Sequence, residues 1–363
     1  MQPGQHFDGP NGPNRLWHIG VRWLIALTLV ALVQVQVQAR VPVQAQTQTQ
    51  AQASEQAALP DDIERLLSGV VKVRMQAVDK ARSSASLGTT REGSGVLIDG
   101  QGHVLTIGYL VSEAQTIELT TQSGKLVPAR LVAYDHPSGL GLLQALAPLD
   151  ATPFQLGSSK DLALREALMI LPAGGRDAAS AALLIDRRTF SASWEYLLED
   201  ALFTSPPTLQ WAGAALVNRD GQLLGIGSLL VRDSAGAGSG VPGNMFVPID
   251  TLKAILPDLL ARGRRAAAPR PWLGLATETV QGRLLVTRVS PEGPADQAGV
   301  RAGDIVLGIG ADTVASHEQL YRRLWQQPAG AVITLRVLQG PELRQIPVQS
   351  IDRVQYFRQG TVY

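Results

Sequence analysis

The sequence predicts an all-β dominated chain, a barrel or sandwich followed by a smaller block of strands with one helical stretch. Three observations predict it. Short β-type runs, VVKVRM, GVLI, HVLTI, TIELTT and LVPARLVAY, recur at roughly 8 to 12 residue spacing between turn signals such as DGQG and SGK. A second series, ALMILP, ALLI, AALVN and LLGIGSLLV, leads into the Gly-rich loop SAGAGSGVPGN. After the basic, Pro-containing linker RRAAAPRP, residues 271–347 read as a self-contained unit. The 363 residues suffice for two ordinary domains with extensions.

In chain order, Arg15 and Arg22 precede the apolar run WLIALTLVALV, and VQA at residues 37–39 has the form of a signal-peptidase site. Residues 1–39 are therefore expected to be a signal peptide directing export from a bacterial cytoplasm, or, if retained, an inner-membrane anchor. The Gln/Ala-rich tract 40–58 carries too little bulk for a core and is expected to be a linker. PDDIERLL begins with proline and acidic residues, as a short helix favours. Residues 59–263 are expected to hold the main β domain. It ends in PIDTLKAILPDLLARG, where Leu252, Ile255, Leu259 and Leu260 recur at helical spacing and Gly263 is placed to stop the helix. Residues 264–270 form the linker, 271–347 the second block and 348–363 a tail.

Composition excludes several functions. The chain has 32 basic and 31 acidic side chains, a formal net charge of +1, and no long single-sign block of the kind that binds nucleic acid. With no cysteine, it has no disulfide, thiolate nucleophile or common structural zinc site. His, Asp and Glu are scattered without ligand spacing, so no metal or cofactor is implied.

Residues 93–111, GSGVLIDGQGHVLTIGYLV, resemble the first-barrel segment GSGxxIxxxGxIxTxxHVV of HtrA/DegP-type trypsin-like serine proteases. The resemblance implies a chymotrypsin/trypsin-like double β-barrel followed by a small α+β PDZ domain. It places the family's catalytic histidine at Tyr109. LVAYDHPSGLGLLQA resembles the segment ending in D-L-A-L-L and places the catalytic aspartate at Gly139, while Asp135 matches a different family aspartate. LQWAGAALVNRDGQLLGIG resembles GNSGGPLVNxxGxVIGI and places the nucleophile at Ala212 and the oxyanion glycine at Gln210. Alanine, tyrosine and glycine cannot supply a nucleophile, a base and its orienting carboxylate. Gln210, with the Trp211 ring beside it, predicts a collapsed or filled oxyanion hole.

Two alternatives stay open. A relocated active site, making the chain a working serine endopeptidase, would have to draw on His103 or His136 and on Ser94 or Ser205; each is read more simply as structural. Residues 190–211, FSASWEYLLEDALFTSPPTLQW, concentrate Trp194, Tyr196, Phe203 and Trp211 and read either as a plug in the vacated cleft or as a recognition surface.

PWLGL and the run SPEGPADQAGVRAGDIV resemble a PDZ domain of the bacterial protease type. That resemblance implies a loop, Trp272, Leu273, Gly274 and Leu275, whose backbone N–H groups receive a peptide C-terminal carboxylate while the peptide adds as a strand. Leu320 and Leu324 lie four apart in SHEQLYRRLWQQ and either line the terminal side-chain pocket or belong to the core. The expectation is an exported pseudoprotease that binds polypeptide C-termini or exposed hydrophobic segments as an adaptor or regulator in envelope protein quality control. Trimeric homo-oligomers are implied by the family resemblance. Contact with a membrane is expected only if the leader is retained.

Overall fold

The computed structural model describes residues 63–357, so the leader and tract expected at residues 1–58 lie outside the described residues. The helix expected from PDDIERLL is α1 (Ile63–Ser68), which buries Ile63, Leu66 and Leu67. In β1 (Val70–Ala77) Val71, Val73, Met75 and Ala77 are buried while Lys72, Arg74 and Gln76 are exposed. That is the period-two pattern of a strand with one face on a core. A single exposed turn, α2 (Ser84–Leu87), precedes β2 (Thr90–Leu97). With β3 (His103–Ile107), β4 (Ala114–Thr120), β5 (Leu126–Asp135) and β6 (Leu140–Ala145) these strands close a barrel of order β1-β2-β3-β6-β5-β4.

The second barrel comprises β7 (Ala167–Leu171), β8 (Ser180–Ala192), β9 (Tyr196–Ser205), β10 (Ala215–Val217), β11 (Leu223–Val231) and β12 (Gly243–Pro248), closed in the order β10-β11-β12-β9-β8-β7. All six strands contribute to the cluster Leu168, Ile170, Leu184, Leu202, Leu216, Leu224 and Phe246, which fills the interior. The alternate residues Met169 and Leu171 face a larger cluster shared with the first barrel. Burial of both faces is why this strand reads as an unbroken apolar run.

Two elements depart from the sequence expectation. The long helical pattern after β12 is split into α3 (Ile249–Lys253) and α4 (Leu256–Arg262). Pro257 lies in the first turn of α4, the one helical place where a missing N–H leaves no bond unmade. Residues 190–205, read from the sequence as part of a plug or a recognition surface, run through the β8–β9 hairpin, two of the six strands the second barrel needs.

The C-terminal domain contains β13 (Pro271–Trp272), β14 (Leu275–Val280), β15 (Arg283–Val289), α5 (Pro294–Gln297), β16 (Ile305–Ile309), β17 (Asp312–Thr313), α6 (His317–Leu324), β18 (Val332–Gln339), β19 (Glu342–Gln349) and β20 (Ile351–Asp352). Its sheet has the order β14-β15-β16-β18-β19, with β14 at an edge, β17 paired to β16, and β13 paired to β20. Ser316 caps α6, its side chain accepting from the Gln319 N–H.

Candidate functional site

Tyr109 lies in a short 3-10 turn after β3, and its hydroxyl donates to the Ser228 carbonyl at 2.9 Å. The bond ties the first barrel to β11 of the second. Arg91, itself buried, grips this turn through the carbonyls of Tyr109 and Ser112, both at 2.9 Å. Burial pushes the Tyr109 hydroxyl far above the usual phenol range, so it stays neutral. A neutral hydroxyl already spent on a carbonyl cannot act as the general base.

Gly139 has φ +78°, and a Cβ built there would come within 3.2 Å of the Tyr196 hydroxyl. That hydroxyl donates to the Ser138 carbonyl at 2.8 Å. A tyrosine from the β8–β9 hairpin thus crowds the place where the resemblance puts a carboxylate. Ala212 presents only a methyl group, and its carbonyl accepts from Ser94 N–H at 2.8 Å. The Gln210 N–H, at the oxyanion position, donates to Thr208 Oγ1 at 3.2 Å, so this donor is already engaged within its own loop.

The alternative hydroxyls and histidines are engaged separately. Ser94 Oγ accepts from Ala173 N–H at 2.9 Å and Ser205 Oγ donates to the Pro242 carbonyl at 2.9 Å. His103 Nδ1 lies 2.6 Å from Asp99 Oδ2. His136 packs between Tyr134, tilted at 40°, and Phe357, stacked on it, at ring-centre distances of 3.9 and 5.6 Å. Burial holds its imidazole well below the ordinary range. Among the described residues, no hydrogen bond joins either histidine to a serine hydroxyl, and no three His, Asp or Glu side chains form a metal-binding group.

The backbone of Leu273 to Leu275, where the resemblance implies a carboxylate-receiving loop, meets a carboxylate of the same chain. The Glu195 side chain, only 7% exposed, accepts from the N–H groups of Leu273 (3.0 Å), Gly274 (2.7 Å) and Leu275 (2.8 Å). Gly274 supports this with φ +83°, a left-handed conformation that turns successive N–H groups to one point. Burial pushes the Glu195 carboxyl above its ordinary range, while the three N–H donors pull it back. Around it, Thr277 N–H donates to the Ser193 carbonyl at 3.0 Å. Tyr321 Oη donates to the Ala192 carbonyl at 2.6 Å and accepts from Glu195 N–H at 3.1 Å.

Leu197 is buried in the same apolar cluster as Leu273, Leu275, Leu320 and Leu324. Leu320 and Leu324 are core residues of the C-terminal domain, 2% and 0% exposed, and it is Tyr321, between them, that bonds the β8–β9 turn. The aromatic segment therefore packs in two directions: Tyr196 against Gly139, and the turn beside it into the C-terminal domain. Next to this contact lies a cavity of about 340 Å³, lined among others by Glu195, Leu197, Arg270, Trp272, Trp325 and Arg353.

Comparison with known proteins matches the fold just described. A trypsin-like peptidase domain matches residues 93–226 and a PDZ domain matches residues 271–349. The chain is 27% identical over 280 residues to Protease Do-like 1, chloroplastic, of Arabidopsis thaliana, covering 70% of this chain and 62% of that protein. It is 25% identical over 266 residues to the periplasmic serine endoprotease DegP of Escherichia coli (strain K12), covering 68% and 54%. The chain is a homologue of the HtrA/DegP proteases. A solved HtrA-type protease, AlgW with decapeptide, aligns with a TM-score of 0.48 and 18% identity over 82% of this chain and 97% of that one. The match spans 54% to 62% of the length of the two curated relatives.

In this HtrA/DegP homologue, the sequence singled out Trp272 to Leu275 but not Ser193, Glu195, Leu197 and Tyr321, which the fold brings to this loop and its neighbours. The signal available was a polar Ser and Glu set among the aromatics of SWEYL. Their partners lie 78 to 126 residues away along the chain, beyond the reach of local pattern.

Proposed function

We propose that this chain is an exported, proteolytically inert HtrA homologue. It binds polypeptide C-termini, or exposed hydrophobic segments, through its PDZ domain and acts as an adaptor or regulator in envelope protein quality control. One observation carries the reading: three successive N–H groups of the Leu273 to Leu275 loop converge on a carboxylate. Charge-assisted bonds of this kind fix the end of a chain, and the edge strand β14 beside the loop takes the rest by strand addition. Inertness is supported by Tyr109, Gly139 and Ala212, each engaged or hindered as described above. Export is supported by the N-terminal segment and by the periplasmic relative. A trimer is what the family resemblance implies.

Two experiments test this. A fluorophosphonate probe is expected to leave the purified protein unlabelled; stoichiometric labelling that heat denaturation abolishes would refute inertness. A hydrophobic-ended peptide with a free carboxylate is expected to bind and its C-terminal amide not to. Equal binding of acid and amide would rule out the loop as the receptor.

A further inference from the structure

The PDZ groove holds a segment of its own chain, and this segment reproduces the parts of a peptide C-terminus one by one. Glu195 supplies the carboxylate, on the three loop N–H groups. Ser193 supplies the main-chain contact, its carbonyl accepting from Thr277 on the edge strand β14. Leu197 supplies the apolar side chain, 6% exposed, within the PDZ cluster. Glu195 has φ +54°, a left-handed turn conformation that the chain also adopts at seven other non-glycine positions among the described residues. Arg322 of α6 reinforces the docking by pairing with Glu199 of β9 at 2.6 Å.

We infer that the β8–β9 hairpin tip is a built-in ligand of the PDZ domain, and that a polypeptide with an apolar C-terminal residue and a free carboxylate engages the domain by displacing Glu195 and Leu197. This rests on the peptide-binding reading above and adds its regulation. An internal ligand competes at high effective concentration, so the apparent affinity for a free peptide falls by the fraction of time the groove is empty. If the tip is docked about 99% of the time, the apparent Kd is raised about a hundredfold.

The adjoining cavity favours an anionic displacer. Arg270 Nη1 and Arg353 Nε are buried there without a hydrogen-bond partner among the described residues. Unpartnered guanidinium nitrogens beside a carboxylate site attract a second carboxylate as the first leaves.

The test compares the full chain with its Glu195→Gly variant, which removes the carboxylate and suits the left-handed backbone at that position. The probe is a short fluorescein-labelled Gly-Ser peptide ending in Ala-Leu, as the free acid and as the amide, read by anisotropy. The acid is expected to bind the variant at least tenfold more tightly than the wild type, and the amide to bind neither. Equal affinity of the acid for both proteins would overturn the internal ligand while leaving the peptide-binding reading intact. No binding to either would refute both. Hydrogen exchange on the unmodified protein gives a check independent of the variant's folding. The amides of residues 273–275 are expected to be protected without peptide, and free exchange there would overturn the proposal.

Discussion

Replacing Tyr321 by phenylalanine perturbs the hairpin contact without disturbing the PDZ core. Tyr321 is 1% exposed, and its ring stacks with His317 and Trp325 at 6.0 and 5.4 Å, contacts phenylalanine keeps. The lost hydroxyl carries two bonds to the hairpin, a donated one to the Ala192 carbonyl and an accepted one from Glu195 N–H. If the tip stays docked, both backbone groups are buried unsatisfied, at about 1–3 kcal/mol each; if it withdraws, they regain water and the docking contacts are lost. Because withdrawal is open to the tip, the effect is the net worth of the two bonds, about 0.5–1.5 kcal/mol each, so docking weakens by about 1–3 kcal/mol, roughly fivefold to 150-fold. Hydrogen exchange of residues 273–275 and 192–197 is the assay. Faster exchange is expected in both segments, with the strands β16, β18 and β19 unchanged. Unaltered exchange in the hairpin and loop would refute the argument that Tyr321 anchors the tip.

Three further outcomes are expected. Restoring the family residues together, as Tyr109→His, Gly139→Asp and Ala212→Ser, is expected not to restore turnover of a casein substrate. Aspartate at position 139 must adopt φ +78° against the Tyr196 hydroxyl, a strain of about 1–3 kcal/mol that a thermal melt detects. Tyr109→Phe is expected to cost about 1 kcal/mol by leaving the Ser228 carbonyl without its donor, measured by denaturant unfolding; no loss would remove Tyr109 as a bridge between the barrels. Stability is expected to fall as the pH drops below about 6.5, because an unfolded His136 takes up a proton that the folded one, held well below that range, refuses. The loss cannot exceed about 1.4 kcal/mol per pH unit for this group, and His136→Phe is expected to flatten that part of the profile.

The sequence carried much of this organisation where burial is one-sided and local. Lys72, Arg74 and Gln76 alternating with Val71, Val73 and Met75 mark β1 without further help. Motif spacing singled out Tyr109, Gly139 and Ala212, and PWLGL singled out the segment whose N–H groups meet Glu195. The β8–β9 hairpin was hidden because its strands face two cores and a second domain, so no clean alternation survives from Phe190 to Phe203. The division between α3 and α4 was written in Pro257 but masked by the apolar spacing of Leu252, Ile255 and Leu259. Pairing of β13 with β20 lies beyond local reading, since two-residue strands have no period.

The most direct measurement records the amide proton shifts of Leu273, Gly274 and Leu275 in the wild type and in Glu195→Gly. Bonds to a carboxylate move amide protons downfield. All three are expected downfield in the wild type, to relax upfield in the variant, and to return downfield when the free-acid peptide, but not its amide, is added. Identical shifts in wild type and variant, or an equal response to acid and amide, would contradict a PDZ loop that reads carboxylates and is held by its own.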